Sequence, residues 1–273
     1  MNSPDNPTIM ETALDKRNET APIGAPWRTP VDPRPDLNFV VKDLQQCLMR
    51  VAANLRWYEQ TWLGVPIWQL PDDLVALQRI VFDAKPKWIV ETGTKFGGSA
   101  LFFASILAMM GHQVGQGGVM TVDIEETPQA RASLAEASPQ RNRFAPLVRQ
   151  RLIGDAKAPD IVASILGQIA ADPGPVMVFL DDWHDGDHVY AELLAYAPLV
   201  TPGGFLVVAD TTFEDLADTP ILAPSKKYAE VANSNPRTAL RRFLLQRPEF
   251  DVVRDYTQKG ISNFPDGVLR RSL

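Results

Sequence analysis

Short strand-like runs of apolar residues recur between residues 87 and 211, and longer mixed segments separate them. The runs start at Trp88, Val119, Gln150, Val176 and Phe205, at intervals of about 30 residues, the length of one βαβ unit. The run from Val176 is uniformly apolar, which is typical of a parallel strand covered on both faces. The pattern predicts an α/β fold with a mostly parallel, Rossmann-like central sheet.

The segments between these runs predict the covering helices. Residues 100–110 are almost all apolar, as in a buried helix, and residues 188–198 carry apolar side chains on one side. We therefore expect helices on both faces of the sheet, and further helices on the same sheet from the tail of the chain. A chain of 273 residues with 45% hydrophobic content is long enough to bury one large core.

Each strand-like run leads to an acidic residue. In an open parallel sheet the carboxyl ends of the strands lie at one edge, and ligands bind in the crevice outside that edge. The residues in question are Glu91, Asp123, Asp155, Asp181 and Asp210. The sequence therefore predicts a ligand site lined by carboxylates.

A glycine-containing loop follows the first run. Its spacing, Gly93-x-x-x-Gly97-Gly98, differs from the Gly-x-Gly-x-x-Gly of dinucleotide sites. Glu91 stands just before it, and its charge would repel a diphosphate but suits the positive sulfonium and amino group of S-adenosylmethionine (SAM). The loop predicts a SAM pocket, and the alternative is an ordinary turn between a strand and a helix. The cofactor-binding residues predicted here are Glu91, Gly93, Thr94, Gly97 and Ser99.

Three later carboxylates complete the predicted cofactor site. Asp123, at the end of the second run, is in the position that holds the two ribose hydroxyls in such folds. Asp155 precedes Ala156, where such folds often line an adenine, and the alternative is a plain loop aspartate. Asp181, at the end of the fourth run, is assigned both to cofactor binding and to catalysis.

A metal site is predicted at the same edge. Asp181 and Asp210 should face one crevice, with the hydroxyl of Thr211 beside them. Such an all-oxygen set suits a hard cation such as Mg²⁺. The chain has 1 cysteine, which argues against zinc. We predict that Asp181, Asp210 and Thr211 bind Mg²⁺ or a similar divalent ion.

Two histidines follow the fourth run. His184 and His188 have the i, i+4 spacing of a soft-metal pair, but the segment between them looks like a loop and a helix start. Because histidine titrates near working pH, His184 is predicted to be the general base. His184 and Asp181 are together the predicted catalytic residues. The alternative is a hydrogen-bonded structural histidine. His188 is predicted to cap or pack the next helix and to reach Glu192 one turn on.

Several motifs together resemble a known family. They are Trp62-Leu63-Gly64-Val65-Pro66 with Pro71-Asp72-Asp73-Leu74, the glycine loop, Leu180-Asp181-x-x-His184, Gly203-Gly204-Phe205-x-Val207-Val208-x-Asp210-Thr211, and Asn263-Phe264-Pro265-Asp266-Gly267. Over residues 57–271 the chain is similar to the cephalosporin hydroxylase and rhamnosyl O-methyltransferase family. The resemblance implies a class I SAM-dependent methyltransferase fold. It also implies a magnesium-assisted O-methyl transfer to a sugar or another small natural-product diol.

The chain departs from this family at one position of the expected site. Ala209 stands where the family usually has a glutamate, so a candidate metal ligand is missing, and Asp182 or Thr211 is the candidate replacement. The strand end at 208–211 also resembles that of catechol O-methyltransferase, in which the aspartate and the next polar residue bind magnesium. His184 stands where that enzyme has its lysine base.

Two functions stay open at this point, and a third is disfavoured. The first is O-methyl transfer, and the second is a non-methylating, cofactor-binding accessory subunit of an oxidative hydroxylase system, which Ala209 makes more plausible. An NAD-dependent oxidoreductase is disfavoured because the dinucleotide glycine spacing is missing.

The N-terminal part of the chain predicts a different organisation. Residues 1–36 are rich in proline and poor in large apolar residues, which predicts a flexible N-terminal arm. Residues 37–273 form the predicted methyltransferase domain. Its first part, about 37–80, is predicted to be a helical lid that includes an amphipathic helix at 40–58. The aromatic residues of 56–62 and Trp68 are open to three interpretations: a lid or acceptor wall, a dimer contact, or plain core.

Composition limits the partners. The formal net charge is −6 and the sequence has no basic stripe, which argues against nucleic acid. No run reaches transmembrane length, and the opening segment has no signal-peptide core. We therefore expect a cytoplasmic enzyme with no membrane partner that acts on a small-molecule acceptor. We also expect a homo-oligomer.

Overall fold

The computed structural model describes Cys47 and residues 57–135, 143–217, 230–258 and 260–273. The predicted arm at 1–36 lies outside the described residues, and so does most of the predicted helix at 40–58. Both stay predictions.

The strands form a small hairpin and a seven-stranded sheet. The hairpin consists of β1 (Thr61–Trp62) and β2 (Val65–Pro66). The strands of the sheet are β3 (Trp88–Thr92), β4 (Gly118–Asp123), β5 (Val148–Ile153), β6 (Val176–Leu180), β7 (Phe205–Val208), β8 (Phe250–Val252) and β9 (Val268–Arg271). They are hydrogen-bonded in the order β5-β4-β3-β6-β7-β9-β8. All five strand-like runs of the sequence are therefore strands of one sheet.

The sheet is parallel from β5 through β7, and β9 is antiparallel to both of its neighbours. The predicted mostly parallel sheet is confirmed. The sequence predicts helices for the tail, whereas the structure also adds β8 and β9 there, which are too short to show a period. From β3 the chain adds strands first on one side of the sheet (β4, β5) and then on the other (β6, β7). The switch point between β3 and β6 is where ligands bind in open α/β sheets.

Helices cover both faces of the sheet, as predicted. They are α1 (Pro71–Ala84), α2 (Gly98–Met109), α3 (Pro128–Ser133), α4 (Pro159–Ala171), α5 (Gly186–Tyr196), α6 (Phe213–Leu216) and α7 (Pro236–Leu244). Apolar residues of α1 and α2 share one core with the sheet, and those of α4, α5 and α7 share the other. None of the described helices is both long and apolar enough to cross a membrane.

The region predicted as a helical lid contains a core helix. In α1, Leu77 and Ile80 are fully buried in the same core as Phe103 of α2. The helix starts with Pro71 and ends at Ala84, and its C-cap is Lys85, which has the left-handed φ of 46°. Among the described residues of the predicted lid, only 66–69 line the crevice at the sheet edge. The sequence pattern missed this because α1 is amphipathic, like a lid helix, but its apolar face packs on the sheet.

Candidate functional site

A cavity of about 660 Å³ opens at the carboxyl edge of the sheet. The loops that follow β3, β4, β5, β6 and β7 line it, and residues 66–69 and Asn263 close it from other parts of the chain. Eight of the residues predicted for the site lie on its wall: Gly93, Thr94, Ser99, Asp123, Asp155, Asp181, His184 and Asp210. The cavity therefore unites these eight residues, whereas Glu91, Gly97 and Thr211 lie outside its wall.

The glycine loop brings β3 and β6 into close approach. Gly93 has a φ of +88°, and a Cβ added there would lie 2.0 Å from the carbonyl oxygen of Asp181. Gly97 has a φ of +85° and is the N-cap of α2. Gly97 does not belong to the cavity wall, so its contribution is the sharp turn into the helix, not the predicted contact with the cofactor.

Glu91 is not part of the cavity wall either, which corrects its predicted role in cofactor binding. Its carboxylate is fully buried, and Thr121 donates a hydrogen bond of 2.7 Å from Oγ1 to Glu91 Oε2. The two residues are register partners in β3 and β4, so their side chains lie on the same face of the sheet. Burial raises the pKa of Glu91 to about 7, although hydrogen bonds from Ser99 and Thr121 oppose the shift.

The carboxylates after β4 and β5 do reach the cavity. Asp123 Oδ2 accepts a hydrogen bond of 2.7 Å from the backbone N–H of Lys95, which ties the glycine loop to β4. Asp155 pairs with Lys157 at 2.7 Å, and the hydrogen bond from Lys157 lowers the pKa of this exposed carboxyl. Asp123 thus lies on the cavity wall in direct contact with the glycine loop.

Asp181, His184 and Asp210 form a cluster at the edge of β6 and β7, here called the carboxylate–imidazole cluster. One ligand atom from each residue lies within 4.8 Å of the others, and His184 Nε2 is 3.1 Å from Asp210 Oδ2. Burial, followed by repulsion from Asp210, raises the pKa of Asp181 well above its usual value. Burial also raises the pKa of Asp210, and His184 partly offsets this shift. Two buried carboxylates that resist ionisation together make a site for a cation.

Thr211 does not join this cluster, which corrects its prediction as a metal ligand. Its side chain is fully buried, and its Oγ1 donates a hydrogen bond to the backbone carbonyl of Pro265. The chain turns sharply at Asp210, whose φ is +54°, so the next side chain points away from the cavity. Ala209 is 3% exposed and packs in the core.

Gln69, Asp73 and Asn263 are parts of the site that the sequence did not assign. Gln69 Nε2 donates a hydrogen bond of 2.6 Å to Asp181 Oδ2. The backbone N–H of Asn263, on the cavity wall, donates to Asp73 Oδ2 at 2.8 Å, and burial raises the pKa of Asp73 to about 7. Asp73 and Asn263 belong to two of the motifs that carry the family resemblance. Membership of those motifs is the sequence signal that could have assigned them to the site.

His188 connects Asp182, Glu192 and Lys157 in what we call the His188 network. His188 Nε2 is 3.1 Å from Asp182 Oδ2 and 3.7 Å from Glu192 Oε2, so the predicted reach to Glu192 is confirmed. Its Nδ1 is 3.3 Å from Lys157 Nζ. Because an ammonium only donates, Nδ1 accepts and Nε2 carries the proton that is donated to Asp182. The N-cap of α5 is Asp185, not His188.

The aromatic residues ahead of the sheet divide between the core and the cavity. Trp62 donates a hydrogen bond of 3.1 Å from Nε1 to Ser105 Oγ, and its ring packs edge-on against Phe102. Trp68 lies on the cavity wall, edge-on to Phe96 at 5.2 Å. Lys95 Nζ lies 5.5 Å from the Trp68 ring. Of the three interpretations, Trp62 fits core packing, and Trp68 lines the cavity.

The sheet order and the cavity at its carboxyl edge define a Rossmann-like class I methyltransferase fold. A structure of CmcI with Mg and SAM has this fold, with a TM-score of 0.54 and 18% identity, over 79% of this chain and 78% of that chain. A structure of CmcI with S-adenosylhomocysteine (SAH) gives a TM-score of 0.51 and 17% identity, over 80% of this chain and 84% of that chain.

The chain belongs to the Rhamnosyl O-methyltransferase/CmcI family, whose model matches residues 54–272. It is 29% identical over 160 residues to the rhamnosyl O-methyltransferase of Mycobacterium tuberculosis, across 58% of this chain and 60% of that protein. It is 30% identical over 163 residues to the protein of that name in Mycobacterium leprae, across 58% and 63%. The match therefore spans less than two thirds of the length of these relatives.

Proposed function

We propose that the protein is a SAM-dependent O-methyltransferase that uses a divalent ion and acts on a hydroxyl of a sugar or another small diol. Membership of the Rhamnosyl O-methyltransferase/CmcI family supports the class of reaction. The observation that carries the proposal is that one cavity holds both Asp123 and the carboxylate–imidazole cluster. A cofactor bound at Asp123 and an acceptor bound at the cluster would lie side by side.

The cavity fits SAM in size and in its polar groups. Its volume of about 660 Å³ is in the range of small-molecule sites. Gly93, Thr94 and Ser99 lie on one part of the wall, and Asp123 is available to the ribose hydroxyls. The chain thus offers the glycine loop with two hydroxyl groups on one side of the nucleoside and a carboxylate on the other.

The carboxylate–imidazole cluster fits a divalent ion. Burial raises the pKa values of both Asp181 and Asp210, and repulsion from Asp210 raises that of Asp181 further. A bound cation would relieve that repulsion. Asp181 and Asp210 would hold the ion. When bound, it supplies a Lewis acid that lowers the pKa of an acceptor hydroxyl.

The residues of the chain then position the acceptor and exclude water. The acceptor oxygen forms a bond to the methyl carbon of SAM while the carbon–sulfur bond breaks, which gives a methyl ether, SAH and a proton. Trp68 and Phe213 on the cavity wall supply apolar surface against an acceptor. His184 Nε2 lies at the cluster, so the same atom is placed either to take the proton, as the sequence predicts, or to bind the ion.

A second function, the non-methylating accessory subunit, is favoured by one observation. Ala209 is apolar and packed in the core, so β7 supplies only Asp210 to the cluster. A subunit of this kind would bind SAM without transferring its methyl group.

Calorimetric titration with SAM and with SAH, first with Mg²⁺ and then with EDTA, tests the proposal. We expect both to bind, and we expect Asp210→Ala to keep SAM binding while losing the heat of Mg²⁺ binding. Methyl-labelled SAM is then incubated with rhamnosides, other sugars and catechols. Label in an acceptor supports the proposal, binding without transfer supports the accessory subunit, and no SAM binding overturns both.

A further inference from the structure

We propose that His184 is the third protein ligand of the divalent ion, through Nε2, and that the resulting site of two carboxylates and one imidazole selects a later transition ion such as Co²⁺ over Mg²⁺. The inference rests on the metal site of the proposed function. It replaces the sequence-based role of His184 as general base.

The distances in the cluster are compatible with a coordination shell. Ligand atoms about 2.1 Å from an ion in octahedral geometry are roughly 3.0 Å apart when adjacent and about 4.2 Å when opposite. His184 Nε2 and Asp210 Oδ2 are 3.1 Å apart, and a carboxylate oxygen of Asp181 lies within 4.8 Å of both. Small side-chain rotations would bring all three onto one ion.

Three other positions beside the two aspartates do not supply the ligand. Ala209 carries no ligand atom, the Thr211 hydroxyl donates to Pro265, and Asp182 accepts from His188. His184 is the histidine whose ring nitrogen lies close enough to Asp181 and Asp210 to complete three protein ligands.

The orientation of the His184 ring favours a ligand over a base. Its side chain is only 16% exposed, and the ring packs edge-on against Phe213 with centroids 4.8 Å apart. With the ring in this place, Nε2 lies 3.1 Å from Asp210 Oδ2. A general base needs that nitrogen at the acceptor hydroxyl, whereas here it faces a carboxylate. With Nε2 held by the ion, His184 would not be free to take the proton that the acceptor hydroxyl loses, and that proton would pass to water.

The His188 network has similar residues but does not offer a metal site of the same kind. Asp182, His188 and Glu192 also place three ligand atoms within 4.8 Å of one another. However, the Lys157 ammonium at His188 Nδ1 keeps the proton on Nε2, so the lone pair that a metal needs is absent there. His188 is therefore a matched control for His184, four residues away and in the same cavity wall.

An imidazole ligand changes the choice of ion. Carboxylate and water oxygens suit Mg²⁺, whereas imidazole nitrogen suits the later divalent transition ions. A site with His184 as a ligand should therefore lose more affinity for Co²⁺ than for Mg²⁺ when the nitrogen is replaced by an oxygen.

Pulsed electron paramagnetic resonance on the full chain, stripped with EDTA and loaded with Mn²⁺, tests the proposal directly. We expect nitrogen modulation of the Mn²⁺ signal in the unmodified protein and in His188→Gln, and none in His184→Gln. Bound Mn²⁺ without nitrogen modulation would overturn the proposal, and so would modulation that persists in His184→Gln. Failure of Mn²⁺ to bind would also overturn it.

A second measurement compares affinities. His184→Asp should lower the Co²⁺ affinity relative to the Mg²⁺ affinity by at least about tenfold, the size of effect that loss of even an outer partner of a metal ligand produces. An unchanged ratio would contradict the proposal. Titration with SAM in EDTA separates the two proposals, because it tests the methyltransferase pocket without the ion. If the protein binds SAM and transfers the methyl group, but the Mn²⁺ signal shows no nitrogen modulation, the proposed function stands. The proposal that His184 is a metal ligand is then rejected.

Discussion

Gln69 donates a hydrogen bond of 2.6 Å from Nε2 to Oδ2 of Asp181, although 112 residues separate the two in the chain. Gln69 stands just before α1 and is 4% exposed. A hydrogen bond to the ionised form of a carboxyl lowers its pKa, and here it opposes the increase that burial causes in Asp181. Gln69 is therefore a positioning residue that helps to keep Asp181 charged and directed at the cluster.

We expect Gln69→Leu to weaken binding of Mn²⁺ by about tenfold, because a hydrogen bond to a charged group contributes roughly 1.5–3 kcal/mol. Without the donor the pKa of Asp181 rises further, so the loss should be larger at pH 6.5 than at pH 8.5, and calorimetry at the two pH values measures it. Gln150→Leu is the matched control, since Gln150 Nε2 donates to Ser164 Oγ at 2.7 Å away from the cavity. Equal losses in both variants would contradict the role of Gln69.

We expect Asp123→Ala to lower the affinity for SAM and for SAH by about 10- to 100-fold, because the variant loses the predicted partner of the ribose hydroxyls. It also loses the acceptor for the Lys95 N–H, so the glycine loop becomes less well held. The affinity for Mn²⁺ should hardly change. Calorimetry measures both, and Asp187→Ala, at an 89% exposed position on α5, is the control. Unchanged SAM affinity in Asp123→Ala would show that the cofactor does not use this carboxylate.

The edge of the sheet was predictable from the sequence, and the side-chain directions there were not. Asp123, Asp181 and Asp210 each follow an apolar run, and parallel strands bring their carboxyl ends together. Glu91 and Thr211 also stand at strand ends, but the register of β3 with β4 buries Glu91, and the left-handed turn at Asp210 turns Thr211 away.

Contacts between segments that are distant in the chain could not be predicted from the sequence pattern either. Gln69 and Asn263 reach the cavity from outside the β3–β7 region, and no local periodicity reports which loop lies over which strand end. Their positions depend on the packing of α1 against the sheet and on the return of the tail as β9, which is antiparallel to β7. Pattern analysis locates strands and helices, whereas such loops are placed by the tertiary fold.

We expect Gly93→Ala to destabilise the protein by more than about 3 kcal/mol and to abolish SAM binding. The added Cβ would lie 2.0 Å from the Asp181 carbonyl oxygen, and φ is +88°, so the loop or β6 has to move. Gly111→Ala is the control, because Gly111 also has a positive φ, +94°, but nothing within 4 Å of the added Cβ. It should cost only the left-handed backbone term of about 1–2 kcal/mol. Chemical denaturation measures the free energy of unfolding of both variants. Equal decreases would mean that the backbone at Gly93 does not pack tightly against the Asp181 carbonyl.

We expect Glu91→Gln to raise the stability of the ligand-free protein at high pH. Burial raises the folded-state pKa of Glu91 from 4.5 to about 7, so between these values the folded state holds a proton that the unfolded chain has lost. Stability therefore falls as pH rises through this window and stays lower above it, by about 3 kcal/mol in total. Glutamine does not ionise, and it still offers an oxygen to Thr121.

The stability of Glu91→Gln relative to the unmodified protein should therefore increase from pH 5 to pH 7 and then level off, as denaturant unfolding at a series of pH values would measure. Glu249→Gln is a control of opposite sign, since the hydrogen bond from Arg247 lowers the pKa of that exposed carboxyl, and its removal should bring no gain at high pH. A Glu91→Gln difference that does not change with pH would mean that the buried carboxylate keeps its ordinary pKa. Its hydrogen bond from Thr121 would then be enough to hold the charge between β3 and β4.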